Sequence, residues 1–292
     1  MTILVIGAGQ LGVALRDHLP ADTLFASRSG EPAIDLAQPT SIHAALDRLT
    51  PTIIVNAAAY TAVDAAESDE AAAFTVNADA VGAIGAWASA HDALVIHVST
   101  DYVFDGEGST PYDEDRVTAP INAYGRSKEA GERALRASGA HHVILRTSWL
   151  YGIHGHNFLR TMLRLGQDRD HLRVVADQTG APTTADALAA AIARVTVRWM
   201  AGGDAPEGTY HVACHGETTW HGFACAIFAS AHRQGLMARE PKVEAITTEA
   251  FPTPARRPRY SSLDPSRFER TFDYQLPDWQ PELERTLARL NP

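Results

Sequence analysis

A chain of 292 residues, 45% of them hydrophobic, can bury a sizeable core, enough for one large α/β domain with a smaller appendage. Its 25 basic and 35 acidic side chains leave a formal net charge of -10, which argues against nucleic acid and anionic membranes as partners but leaves room for an anionic small ligand at a local positive site. No stretch approaches the roughly 20 apolar residues of a membrane span, and the opening run Ile3 to Ile6 is too short for a signal segment. Cys214 and Cys225 form no disulfide framework, so a reduced, cytoplasmic protein is expected.

Taken in order, Thr2 to Ile6 is β-branched and apolar and runs into Gly7-Ala8-Gly9-Gln10-Leu11-Gly12, after which Val13, Leu15 and Leu19 recur at helical spacing. The pattern predicts strand, glycine turn, helix, with Gly7, Gly9, Gln10, Leu11 and Gly12 bringing backbone amides to a pyrophosphate at the positive helix end. A second strand, Thr23 to Ala26, ends in Ser27-Arg28-Ser29. A hydroxyl and a guanidinium stand there instead of the carboxylate common in NAD sites, so NADPH is favoured over NADH, which stays admissible. The plainer reading is that Arg28 points into solvent. Asp35-Leu36 precedes a helix, Pro39 to Leu49, and the strand Ile53 to Val55 ends in Asn56-Ala57-Ala58-Ala59-Tyr60, small residues that let backbone lie close to a flat ligand.

Glu70 to His91 predicts one long helix, and Ala93 to Val98 a buried strand leading to Ser99-Thr100-Asp101-Tyr102-Val103-Phe104-Asp105-Gly106. Hydroxyls and a carboxylate at a core strand's end sit where open α/β sheets bind ligands, so Thr100 could hydrogen-bond a reacting oxygen; a capping role for Ser99 or Thr100 is the alternative. Gly106 to Ala123, with Pro111 and Pro120, reads as a loop over the site. Then comes Tyr124-Gly125-Arg126-Ser127-Lys128. Four residues apart on a helix, the Tyr124 hydroxyl and the Lys128 ammonium can share one site, and a nearby cation is expected to lower the tyrosine's pKa from about 10. The chain has only two lysines, Lys128 and Lys242, so lysine is not surface filler here. The strand His142 to Arg146 completes an alternation that implies a doubly wound parallel sheet.

After Trp149-Leu150-Tyr151-Gly152 the pattern changes: a helix Asn157 to Leu165, a strand Leu172 to Val175, a turn-rich Asp177 to Thr183, a helix Ala185 to Met200 and a strand Gly208 to Ala213. A helix Trp220 to Gly235, a strand Val243 to Ile246 and a Pro/Arg segment Pro252 to Pro258 follow. The expected division is a Rossmann-type dinucleotide-binding domain over 1–150, with returns near 185–213, and a smaller, discontinuous C-terminal α/β substrate lobe over 151–292. Arg256, Arg257 and Arg259 could hold a substrate diphosphate or form a solvated basic loop. The histidines of His141-His142 and His154-Gly155-His156 lack zinc-site spacing, and no metal site is expected.

These motifs resemble the extended short-chain dehydrogenase/reductase family over nearly the full length. The resemblance rests on Gly9 to Gly12, Val55 to Asp64, Ser99 to Gly106, Tyr124 to Lys128, Arg146 to Gly152, Asp177-Gln178 with Gly180 and Pro182-Thr183, Gly208 to His211, and Arg257-Pro258. Within the family the runs are most similar to enzymes acting on dTDP-linked 4-keto-6-deoxy sugars. The resemblance implies hydride transfer from NADPH to C4 of such a sugar nucleotide, with Tyr124 giving the proton, Lys128 binding the nicotinamide ribose and Thr100 in the place of the usual serine or threonine. It implies that Thr100, Asp101, Trp149 and Arg257 face the substrate. It also implies that Asp35, Leu36, Ala58 to Thr61 and Val98 line the cofactor. Some relatives use magnesium and dimerise through acidic side chains of the first helix. Here that helix begins Val13-Ala14-Leu15, so neither magnesium nor that dimer is expected, although a homodimer of another kind is admissible. Two other readings stay open: a 4-ketoreductase or epimerase for a different dTDP-deoxysugar, and a non-catalytic NADP-binding regulatory subunit.

Overall fold

The computed structural model describes residues 1–202 and 206–290; residues 203–205, inside the return expected near 185–213, and the terminal 291–292 of the expected C-terminal lobe lie outside the described residues. The first half runs β1 (Ile3–Ile6), α1 (Gln10–Ala14), β2 (Leu24–Ala26), α2 (Pro39–Leu49), β3 (Ile53–Asn56), α3 (Val63–Ala66), α4 (Glu70–Phe74), α5 (Ala80–Ala90), β4 (Leu94–Thr100), α6 (Ala123–Ala137) and β5 (His142–Thr147). After it come β6 (Leu150–Tyr151), α7 (Phe158–Asp168), β7 (His171–Val175), β8 (Thr179–Gly180), β9 (Thr183–Thr184), α8 (Ala185–Met200) and β10 (Gly208–His211). The chain closes with β11 (Thr218–Thr219), α9 (Trp220–Arg233), β12 (Lys242–Ile246), α10 (Ser266–Phe272) and α11 (Trp279–Ala288).

Six parallel strands form the main sheet in the order β10-β5-β4-β3-β1-β2. Their apolar runs show no polar alternation because both faces are covered. Ile3, Val5, Ile53, Val55, Leu94, Ile96, Val143 and Leu145 face a core shared with α1, α8 and α10. The intervening Leu4, Ile6, Ile54, Val95 and Ile144 face α2, α5 and α6. The sheet is the doubly wound one expected, and β10 adds its sixth strand beside β5. A second core gathers Tyr151, Leu159, Phe223, Phe228, Trp279 and Leu287 from α7, α9, α11 and their connections. Side chains cap the starts of α7, α8 and α9: Asn157 accepts from the Arg160 amide, Thr184 from Ala187 and Thr219 from Gly222. No described helix is long and apolar enough to cross a membrane.

Two expectations are corrected. The helix expected from Glu70 to His91 is interrupted by a π turn at Thr75–Asp79, between α4 and α5. The turn carries Asn77, whose side chain bonds the backbone of Tyr60 in both directions, at 2.8 and 3.0 Å, and the hydroxyl of Ser127 at 2.9 Å. The segment after Gly106, expected as a loop over the site, lines neither of the two clefts described below. Its Tyr112 instead stacks on Phe104, with ring centroids 4.4 Å apart, and exchanges backbone hydrogen bonds with Ser262 and Asp264.

Helix α6 buries an unusual face: Gly125, Ser127, Lys128, Gly131, Glu132 and Leu135. It lies almost backbone on backbone against its neighbours. A Cβ at Gly131 would fall 2.0 Å from the Asn77 carbonyl oxygen, and one at Gly125 would fall 2.2 Å from that of Tyr102. The completely buried Glu132 is satisfied by Arg146 at 2.8 and 2.7 Å, by Arg136 at 2.6 Å and by the Ser99 hydroxyl at 2.6 Å. These contacts hold its carboxyl below the ordinary carboxylate value against the opposing effect of burial. Gly131→Ala is therefore expected to destabilise the protein by about 1–3 kcal/mol, since α6 or the π turn must shift. Gly202→Ala, with open space around its would-be Cβ, is expected to be near neutral. Urea midpoints of the two variants check the contrast.

Candidate active site

The sheet reverses strand order at β1, between β2 and β3, and open α/β sheets bind ligands outside the carboxyl ends of strands at such a point. The turn after β1 is compact because a Cβ at Gly12 would fall 2.0 Å from the Gly7 carbonyl oxygen. Two adjoining clefts open above it. One of about 710 Å³ is lined by Gly7, Gly9, Gln10, Leu11, Ala58, Ala59, Thr61, Val98, Thr100, Asp101, Tyr124, Lys128 and Trp149, among others. The other, of about 590 Å³, is lined by Gly7, Gly9, Ser27, Arg28, Asp35, Leu36, Ala58, Ala59, Tyr60 and Thr61. The structure thus brings together the residues expected at cofactor and substrate, except Gly12 and the cluster Arg256, Arg257 and Arg259. Gly12 lies beneath the turn, and Arg257 lines neither cleft.

The Arg257 guanidinium is engaged by both carboxylate oxygens of Asp64, at 3.0 and 2.8 Å, an ion pair that holds the Asp64 carboxyl below its ordinary range. Arg256 and Arg259 are exposed. Gln10 joins the glycine turn to the second half of the chain, donating to the Leu150 carbonyl at 3.1 Å and accepting from Asn157 at 3.0 Å.

Thr100 and Asp101 stand at the carboxyl end of β4. The Thr100 hydroxyl donates to Asp101 at 2.9 Å, accepts from the Tyr102 amide at 3.2 Å and lines the cleft together with Tyr124. Burial pushes the Asp101 carboxyl up to about 6 against the hydrogen bond from Thr100, and its Oδ2 is buried without a hydrogen-bond partner. Asn122 caps α6 by accepting from the Gly125 amide at 2.8 Å, which fixes the turn carrying Tyr124. The tyrosine opens onto the cleft and is otherwise enclosed, and here the expectation of a lowered pKa is overturned. Burial pushes Tyr124 up to about 12, the neighbouring Thr100 hydroxyl opposes this and the Asp101 charge adds to it. Lys128 is itself buried and pushed down to about 8, with the Glu132 charge opposing. A tyrosine so raised is fully protonated at neutral pH, which is the form a proton donor needs.

The sequence reading missed three participants. Trp220 of α9 lines the larger cleft and stacks on Trp149, with centroids 3.6 Å apart and planes 7° from parallel. The buried Ser261 of the C-terminal segment neighbours Asp101, with its hydroxyl donating to the Thr179 carbonyl at 3.4 Å. His97, completely buried in β4, touches Lys128. A histidine within an apolar strand was the one sequence signal among them; the other two contacts cross between distant segments. Among the described residues no group of three or more His, Cys, Asp or Glu is arranged to hold a metal ion.

A switch-point cleft over a glycine turn, faced by a strand-end threonine and a helical Tyr-x-x-x-Lys, defines the short-chain dehydrogenase/reductase class. Within it, the chain belongs to the family described as RmlD substrate binding domain, whose model matches residues 1–291. The chain is 44% identical to the dTDP-4-dehydrorhamnose reductase of Shigella flexneri, over 99% of this chain and 98% of that one. It is also 44% identical to the Burkholderia thailandensis protein of the same name, over 96% of each. Among solved structures it is similar to the dTDP-4-dehydrorhamnose reductase of Bacillus anthracis in complex with NADP, with a TM-score of 0.89 and 34% identity over 99% of both chains. A Thermus thermophilus UDP-glucose 4-epimerase, 19% identical with a TM-score of 0.80 over 100% of this chain and 99% of that one, shares the fold.

The raised Asp101 carboxyl has a stability consequence. Folding shifts it from 3.8 to about 6, so its burden is absent below about pH 4, grows between about pH 4 and 6 and is full above. At about 1.4 kcal/mol per pKa unit, Asp101→Asn is expected to stabilise the protein by up to about 3 kcal/mol at pH 8 and by little at pH 4. Melting temperatures at the two pH values check it.

Proposed function

We propose that the protein reduces the C4 keto group of dTDP-4-dehydro-L-rhamnose to dTDP-L-rhamnose with NADPH. The observation that carries this reading is the meeting of Thr100, Tyr124 and Lys128 in one cleft above the glycine turn. The names of the full-length relatives support the substrate, and the NADP complex of the Bacillus anthracis structure supports the cofactor.

The residues present fit a dinucleotide. The close-packed turn at Gly12 leaves no side chain over the cleft floor, Gly9 has open space where a Cβ would stand, and the clefts share Gly7, Gly9, Ala58, Ala59 and Thr61. The adenosine end belongs in the cleft with Ser27, Arg28, Asp35, Leu36 and Tyr60, where the exposed guanidinium and the hydroxyl suit a 2′-phosphate. The nicotinamide end belongs beside Val98 and Lys128. When bound, the reduced nicotinamide supplies the hydride.

Everything else falls to the chain's own groups. Tyr124 hydrogen-bonds the substrate's C4 oxygen and polarises the carbonyl, and Thr100 joins it once its single O–H turns from Asp101 to that oxygen. Tyr124 gives its proton to that oxygen as negative charge develops there, and the Lys128 ammonium stabilises the resulting phenolate. Asp101 fixes the Thr100 hydroxyl, and the Trp149–Trp220 stack offers an apolar wall to the deoxysugar. Arg257 takes part in diphosphate binding only by leaving or sharing Asp64.

The test follows nicotinamide absorbance with dTDP-4-dehydro-L-rhamnose, identifying the product. Wild type is expected to oxidise NADPH and yield dTDP-L-rhamnose. Tyr124→Phe should lose about 10²–10⁴-fold in kcat while still binding NADPH. Arg28→Ala should raise KM for NADPH and leave KM for NADH unchanged. A wild type that binds NADPH but consumes none with this sugar would sink the substrate assignment, and silence with other 4-keto sugars would favour a regulatory subunit.

A further inference from the structure

Lys128 is gripped from behind the cleft. An ammonium carries three N–H donors. One is donated to the Val98 carbonyl at 2.7 Å, and a second meets Nε2 of His97 at 3.2 Å. Among the described residues these are the two groups within hydrogen-bond distance of the Lys128 Nζ. His97 shares a face of β4 with Val95, whose side chain packs in the core beneath α6, and its Nδ1 lies 3.2 Å from the amide of Asn56, its register partner on β3. A buried row of Asn56, His97 and Lys128 therefore runs from the end of β3 to the cleft.

Burial and the Lys128 charge hold His97 well below its ordinary pKa, so its ring is neutral and carries a single N–H. A neutral imidazole facing an ammonium presents the lone pair of Nε2. Its proton then sits on Nδ1 and requires the amide oxygen of Asn56 on that side. Turning the amide that way exchanges the 3.3 Å bond from the Ala58 amide for a contact between two N–H groups, which is its local cost.

We propose that His97 is a positioning residue for Lys128. With the Val98 carbonyl it takes two of the three N–H groups, leaves the third for the cleft and keeps the buried lysine protonated. The other ionisable groups on the elements packed around Lys128 have different engagements. Glu132 favours the ammonium by its charge but is occupied by Arg146, Arg136 and Ser99. Asp101 accepts from Thr100, Tyr124 and Tyr102 meet edge to face, Glu70 is paired with Arg126, and Asp79 of the π turn is exposed. The effect on turnover rests on the reductase reading; the hydrogen bond itself does not.

Because Lys128 shares the chain only with the exposed Lys242, lysine labelled with ¹³C at Cε gives two signals, and a Lys242→Arg variant assigns them. In wild type the Lys128 signal is expected to titrate with a midpoint of about 8. His97→Leu removes an acceptor from the charged form and should lower that midpoint by about one pH unit or more. His97→Gln, whose amide oxygen can stand near the Nε2 position, should restore most of the shift, while His97→Asn, which reaches only the Nδ1 position, should not. The proposal is overturned if His97→Leu titrates as wild type does, or if the Gln and Asn variants titrate alike. Should His97→Leu fail to fold, the Gln and Asn pair decides alone. The alkaline limb of kcat for NADPH oxidation should move with the titration. If the titration shifts as expected but wild type reduces no 4-keto sugar, the functional reading falls and the His97 assignment stands. If the sugar is reduced and the titration does not move, the reverse holds.

Discussion

The close approach of α6 to the turns around it is the constraint on which the site depends. Gly125 and Gly131 let the helix lie against the carbonyls of Tyr102 and Asn77, and no other residue type fits at those distances. That approach forces the polar side chains of one helix face into the interior. Lys128 and Glu132 can survive there because each is met by partners: Val98 and His97 for the lysine, Arg146, Arg136 and Ser99 for the glutamate. The π turn belongs to the same arrangement, since it carries the Asn77 that bonds Ser127 on α6 and Tyr60 beside the cleft.

The chemistry follows from where that helix meets the sheet. The end of β4 presents Thr100 and Asp101 to the same cleft as Tyr124, and Asp101 and Tyr124 are enclosed enough for desolvation to dominate their ionisation. Tyr124 is kept neutral, so the donor is in its working form before substrate arrives. Lys128 lies close enough to neutrality for small changes in its surroundings to matter. Asp101 is held in an environment that disfavours its charge, a local cost in stability of the sort active sites carry.

Much of this was legible in the order of residues. Apolar four- and five-residue runs separated by helical periodicities predict the parallel sheet, and the glycines after β1 predict the turn at its switch point. The Tyr124–Lys128 spacing predicts a shared face, and the strand-end Thr100 predicts its partner. Illegible features depend on neighbours far apart in the chain. The lowered pKa expected for Tyr124 weighed one nearby charge and omitted burial, which is the larger effect. The π turn is invisible to a periodicity count because its extra residue serves a contact with α6. Arg257 reads as a free cation in its own segment, and its partner Asp64 stands at the start of α3, nearly two hundred positions away.

The sequence by itself determined the class of sheet, the position of the nucleotide-type turn and the identity of the three groups in the cleft. These rest on local spacing and on side-chain chemistry, which do not change with context. The tertiary structure alone decided the protonation of Tyr124 and Lys128, the capture of Arg257 by Asp64, the stacking of Trp220 on Trp149 and the placement of His97 behind Lys128. Each of those is a matter of desolvation or of contact between segments distant in sequence. Both are properties of the packed interior, and no stretch of the chain carries them alone.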